Sequence, residues 1–361
     1  MFEGKIMDKK MKILIGNNTL SLLAGSEIFV YTLAQELKKL GHTVHCFSPE
    51  LGIISNELEK IGIQSFKNIS TSGVKPFSIV LEEEIKHDYD VIIANHNHIV
   101  SYLRKQFPKT PIISIIHGII HVVEENGKKI IAPEYPALDS GVNQFISVSE
   151  EIQNKLKNDY NVDSLVIRNL FDLKKLKSNR KISNKPKIIL FNSNYSLKDS
   201  EDTMIVRDVA KHYGARLIAL GQNFSWSFDI KKALSDADIV FGMGRSVLEG
   251  VAAGRLGIVH GRWGTGGVIC EENVDVLKHF NFSGRNADGI LLSAEEIIKE
   301  IDLHYNQKTI DWGLNYMKLN HNSLTIADSY IRIARELTGE SITREKKEPE
   351  LRPYRRAKDA K

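Results

Sequence analysis

Residues 241–254 read Phe-Gly-Met-Gly-Arg-Ser-Val-Leu-Glu-Gly-Val-Ala-Ala-Gly. The run Asp238-Ile239-Val240-Phe241 leading into them is apolar in the manner of a buried parallel strand, and the residues after Arg245 suit a helix. Strand, glycine turn and helix in that order belong to doubly wound α/β sheets, whose ligands gather where strands end and helices begin. Ser246 stands as a candidate N-cap with Glu249 three residues on, the spacing of a capping box. Backbone N–H groups at residues 244–247 would then face outward with the positive end of the helix dipole, where a phosphate could sit. Arg245 adds a fixed charge and a forked donor. The same spacing also suits a plain helix start, in which Ser246 and Glu249 only cap each other.

Outward from this stretch, strands and helices alternate along the chain. Short apolar runs at 11–16, 43–47, 91–94, 112–116 and 144–148 read as strands, and 26–40, 51–61, 98–106 and 150–160 as helices. Residues 1–10 read as a leader or an alternative start ahead of a fold that begins at Met11. Between 173 and 186 the chain is lysine-rich and poor in apolar residues, the composition of a linker. A second alternation follows, with strands at 187–192, 216–220, 238–242 and 257–260, helices at 201–213, 230–235 and 246–253, and closing helices at 294–304 and 323–337. The expected architecture is two doubly wound, Rossmann-like domains, 11–172 and 187–320, a linker at 173–186, a C-terminal helix at 321–338 and a disordered basic tail at 339–361. Their strand ends would face a shared cleft. Gly25, His117, residues 192–198, Gly221 and the 242–246 turn all fall on such ends.

Composition narrows the classes. The chain has 361 residues, 42% of them hydrophobic, enough for two cores. No apolar run reaches the ~20 residues of a spanning helix and the start lacks a signal peptide's apolar segment, so a cytoplasmic protein is expected. The net charge of +4 is carried by residues 342–361, a tail that could touch an anionic membrane surface; the near-neutral body argues against nucleic acid. Cys46 and Cys270 are the only cysteines, and His42 and His45 near the first have no second cluster to complete a zinc site, so neither disulfide nor metal is expected. His96 and His98 lack a third ligand, and Trp263-Gly264-Thr265-Gly266-Gly267 reads as a glycine-rich loop.

Several segments, in order, resemble the retaining GT-B glycosyltransferases of family 4. Ala24-Gly25-Ser26-Glu27 resembles that family's Gly-Gly-Ala-Glu loop, and Gly41-His42-Thr43-Val44 its Gly-His-x-Val turn. Ser147-Val148-Ser149-Glu150 and the segment from Val166 through Asn169 to Asp172 resemble its Ser-x-Ser and Val-Ile-Pro-Asn-Gly-Val-Asp segments. Glu249 sits like the second glutamate of its paired-glutamate signature. The resemblance implies a GT-B fold and a nucleoside-diphosphate sugar donor, UDP or GDP, with no cofactor or metal. Glu249 would bind the ribose hydroxyls, and Gly244, Arg245 and Ser246 the diphosphate. Gly25 and Ser26 would offer backbone N–H groups, His117 would approach the donor sugar, and Lys198 would offset charge on the leaving diphosphate; Asn194 and Gly221 would complete the donor site. A carbohydrate, lipid or protein hydroxyl would accept the sugar, in polysaccharide or glycoconjugate synthesis, with peripheral contact at the inner membrane face.

The departures are specific. The first signature glutamate falls at Phe241 and the phosphate-binding arginine at Ser193. Arg245 could replace that arginine. The same losses raise a silent nucleotide-sugar-binding or assembly subunit as an alternative, and a nucleotide-sugar epimerase shares the architecture but needs carboxylates beside the sugar, which cannot be assigned.

Overall fold

A computed structural model describes residues 9–67, 88–118, 122–125, 128–131, 141–225 and 230–339; residues 1–8 of the expected leader and the expected tail beyond 339 lie outside the described residues. In chain order the first half carries β1 (Lys12–Gly16), α1 (Gly25–Lys39), β2 (Thr43–Ser48), α2 (Ile53–Lys60), β3 (Gln64–Lys67), β4 (Val91–Asn95), α3 (Asn97–Gln106), β5 (Ile112–Ile116), the hairpin strands β6 (Val122–Glu125) and β7 (Lys128–Ile131), β8 (Gln144–Ser147), α4 (Glu150–Tyr160) and β9 (Ser164–Val166). The second half carries α5 (Leu173–Leu176), β10 (Ile188–Asn192), α6 (Glu201–Tyr213), β11 (Arg216–Leu220), α7 (Lys231–Asp236), β12 (Ile239–Gly242), α8 (Arg245–Ala252), β13 (Leu256–Gly261), β14 (Gly264–Val268), α9 (Val274–His279), α10 (Ala294–His304), α11 (Gln307–Asn320) and α12 (Ser323–Thr338).

Seven strands form the first sheet in the order β3-β2-β1-β4-β5-β8-β9, every pair parallel. Its middle strands are buried on both faces, as their continuous apolar sequences require. The sheet grows outward in both directions from β1 and β4, which leaves a crevice at their carboxyl ends. The second sheet runs β11-β10-β12-β13-β14, with the corresponding crevice between β10 and β12. There Asn192 pairs with Gly242, so both strands stop at one level. Helix α8 seats directly on β12: a Cβ at Gly250 would lie 2.5 Å from the Val240 Cβ.

The chain crosses between the halves twice, side by side. Phe171 N–H donates to His321 O (2.9 Å) and Ser323 N–H to Phe171 O (3.1 Å). Beyond this crossing α12 returns to the first half, where Ile326, Ala327, Tyr330 and Ile331 share a core with Phe29, Leu33 and Leu37 of α1. The last helix thus completes the first core.

Two expectations are corrected. Residues 263–267 are no free loop: Gly264–Val268 is an antiparallel edge strand, because β13 offers its open side as a pairing partner. Helix α11, absent from the expected elements, packs Ile310 and Met317 inward; Gly313 and its asparagines weaken the helical signal in the sequence. Among the described residues no helix is long and apolar enough to cross a membrane.

Candidate functional site

A cavity of about 370 Å³ opens where the carboxyl edges of the two sheets face each other. Its first wall is a stripe of α1 and the turn before it, Ala24, Gly25, Ile28, Tyr31 and Gln35, which lies opposite the core stripe of Phe29, Leu33 and Leu37. Its second wall comes from the other sheet: Asn192 and Asn194 after β10, Gly221 after β11, and Arg245, Ser246 and Glu249 of α8. Asp172 and Lys175, at the crossing between the halves, close the side.

Arg245 and Glu249 are the charged centre of that second wall. Arg245 Nε donates to Glu249 Oε1 at 2.9 Å, one helical turn away, and one Arg245 Nη donates to Leu170 O (3.1 Å). The guanidinium lies 4.5 Å from the centre of the Phe171 ring. Burial opposes both charges, pushing the Glu249 carboxyl up and the Arg245 guanidinium down, while their mutual attraction, with Lys175 beside Glu249, offsets part of each shift. The pair is therefore an oriented carboxylate facing a cavity, clamped by an arginine that also reaches the interdomain crossing.

The capping box expected at Ser246 does not form. The N-cap falls two residues earlier, at Gly244, with φ 53° and ψ −120° and no side-chain cap. Glycine takes that backbone shape without the Cβ penalty, which releases Ser246 from the capping position. The Gly244 N–H donates to Phe282 O (2.6 Å) and the Ser246 N–H to Met243 O (3.1 Å), so these two N–H groups are turned to the protein rather than outward. Gly221 is held by a different constraint. At φ 133° it brings the chain so close to Ser193 that a Cβ would stand 1.9 Å from the Ser193 carbonyl oxygen.

The remaining candidates divide. His117 follows β5, is half-buried, shares a hydrogen bond with Asn95 Oδ1 through Nε2 (2.9 Å) and meets the Phe29 ring edge-on. Burial holds its imidazole neutral, with a pKa near 3, helped by the charges of His96 and Arg245. Ser26 is half-buried and donates its hydroxyl to Glu27 (2.9 Å). Lys198 stands exposed in a turn; His117, Ser26, Gly244 and Lys198 are not among the residues lining the cavity. At the two departures, Phe241 is fully buried and packs edge-on against His260, and the buried Ser193 hydroxyl accepts the Ser196 N–H (3.1 Å).

Tyr31, Gln35, Asp172 and Lys175 line the cavity without having been foreseen. For α1 a signal existed: Ile28, Tyr31 and Gln35 recur at helical spacing one face away from the core stripe. Lys175 lay hidden in lysine-rich linker composition, where the structure builds α5, N-capped by the Asp172 carboxylate (Lys175 N–H to Oδ1, 3.0 Å).

Residues 23–175 match the model of Glycosyltransferase Family 4. That match falls within the amino-terminal half of the chain. No curated protein sequence matches the chain. Among solved structures, a glycosyltransferase from Rickettsia africae is similar at a TM-score of 0.64 and 18% identity, over 92% of this chain and 100% of that one. The Anabaena protein HepE, solved in complex with UDP and glucose, is similar at 0.60 and 15%, over 90% and 100%. A Listeria monocytogenes structure described as a putative UDP-N-acetylglucosamine 2-epimerase is similar at 0.58 and 11%, over 92% and 98%. At these identities the likeness is one of fold. The chain has the GT-B architecture, as its sequence resemblance implied, and the segment that matches the Glycosyltransferase Family 4 model supplies the α1 wall of the cavity.

Proposed function

We propose that this chain transfers a sugar, with retention at the anomeric carbon, from a nucleoside-diphosphate sugar to an acceptor hydroxyl of a polysaccharide or glycoconjugate. The observation that carries the proposal is the Glu249 carboxylate, oriented by Arg245 and exposed to a cleft between two doubly wound sheets. One Glu249 oxygen takes the Arg245 N–H, and a carboxylate retains further acceptor sites for the two ribose hydroxyls. The diphosphate then lies toward Lys175 and Arg245, whose charges offset what the leaving group gains as the glycosidic bond breaks. The acceptor enters against the Tyr31 and Gln35 face of α1 and attacks on the side from which the diphosphate departs.

Calorimetric titration with UDP, GDP, ADP and CMP tests this reading. One diphosphate binds, and Glu249→Ala removes about 3 kcal/mol, two charge-assisted hydrogen bonds, or roughly 100-fold in affinity. Absence of binding across the panel overturns the donor site. A second reading, a nucleotide-sugar-binding subunit without turnover, draws on Phe241 being buried in β12 and on Lys198 standing outside the cavity lining. Donor binding without transfer to any hydroxyl, or to water, would select it.

A further inference from the structure

Away from the cleft, Cys270, Glu272 and His304 bring one donor atom each to within 4.8 Å of one another. Cys270 is buried, His304 half-buried and Glu272 exposed, so the cluster has a protein side and a solvent side. Its place follows from the topology. Because β14 runs antiparallel to β13, its end at Val268 lies beside Ile258, nearer the start of β13 than the Gly261 end that faces the cleft. Cys270 follows that end.

The frame around the three residues is already held. Val268 N–H donates to Glu300 Oε2 of α10 (2.9 Å), and Glu300 stands one helical turn before His304 on the same face. That bond sets the register by which His304 meets Cys270. On the other side, Asn273 Nδ2 donates to Val268 O (2.6 Å), Cys270 N–H to Asn273 Oδ1 (3.3 Å) and Val274 N–H to Cys270 O (3.1 Å), fixing the turn that carries Cys270 and Glu272. A tetrahedral zinc ion with bonds of about 2.0 to 2.3 Å spaces its ligands about 3.5 Å apart. The Cys270 and Glu272 side chains are already joined by a hydrogen bond.

We propose that Cys270, Glu272 and His304 form a zinc-class divalent metal site, with water in the fourth position, that staples α10 to the turn after edge strand β14. Sulfur, imidazole and carboxylate donors together suit zinc and cobalt and disfavour magnesium or calcium. On binding, the Cys270 thiol gives its proton to solvent and the thiolate becomes the ligand. The site is structural and takes no part in sugar transfer.

Cobalt is the probe. The full chain, stripped with chelator, takes up one equivalent of Co²⁺ with a near-ultraviolet thiolate-to-metal band, and Zn²⁺ displaces it and raises the melting temperature. Cys270→Ser abolishes the band, while Cys46→Ser, altered in the other sheet, keeps it. His304→Ala weakens binding at least about tenfold, since loss of even an outer-shell partner costs that much. Glu272→Gln, at an exposed side chain, weakens binding in a chain whose circular dichroism is unchanged. A wild-type chain without the thiolate band, or one whose Co²⁺ affinity is the same in Cys270→Ser and His304→Ala, overturns the proposal and leaves a metal-free thiol, carboxylate and imidazole cluster balanced by Lys308.

Discussion

The two walls of the cleft are built on different terms. The α1 wall presents an uncharged stripe, Ala24, Gly25, Ile28, Tyr31 and Gln35, with open space around Gly25: a Cβ there would meet nothing within 4 Å. The opposite wall is crowded and charged, with Gly221 pressed on the Ser193 carbonyl, Gly250 on Val240, and Arg245 locked to Glu249. On the proposed function, the wall that holds the ribose and diphosphate has to be preorganised, because its polar groups are costly to bury and useful only when aimed. The wall proposed to meet the acceptor can stay open. The rigid half therefore tolerates substitution poorly and the open half well.

The largest effect expected on this contrast is at Gly221. Gly221→Ala places a Cβ against backbone at 1.9 Å in a positive-φ conformation, so strain and overpacking add to at least about 4 kcal/mol, read as loss of folded protein or a lower denaturation midpoint. Arg245→Ala leaves Glu249 buried without its partner and costs about 3 to 5 kcal/mol in chemical unfolding. Arg245→Lys, which restores the charge without the fork, recovers part of it. An unchanged midpoint in Arg245→Ala would remove the clamp from the account.

Next comes pH. His321 is buried at the interdomain crossing, bonded through Nδ1 to Asn169 O (2.7 Å), and burial lowers its pKa to about 4. Being harder to protonate folded than unfolded, it leaves the unfolded chain with more protons below pH 6.5, so stability falls as pH drops from there toward 4. Between pH 6.5 and 4.5 the loss assignable to this group is about 2.2 kcal/mol, and His117 acts in the same direction. Denaturant midpoints across that range check it, and His321→Gln should flatten the slope. The smallest effect belongs to the open wall. Gly25→Ala, at the first turn of α1, should change stability by no more than about 1 kcal/mol, and in the stabilising direction. A large loss there would mean that the two walls are equally constrained.

How far these features were legible in the sequence varies with how local their causes are. The 239–242 strand, its glycine turn and the helix after it could be read because periodicity and turn chemistry act within a few residues. The start of α8 at Arg245 rather than Ser246 could not, since it depends on the dihedral angles Gly244 adopts while donating to Phe282, far along the chain. Lys175 stayed hidden because composition cannot distinguish a solvated linker from one folded over a cavity.

By itself the sequence determined the alternation of strands and helices, hence two sheets of parallel strands apart from the antiparallel edge β14, and it marked Gly25, Asn194, Gly221, Arg245, Ser246 and Glu249, which all reach the cavity. Tertiary structure alone decided that Arg245 turns to Glu249, that Lys198 stays outside the cavity lining, that α12 returns to the first core, and that Cys270 meets His304. The physical reason is range. Hydrophobic period and turn geometry are properties of neighbours in the chain, whereas ion pairs, cavities and shared ligands are properties of neighbours in space.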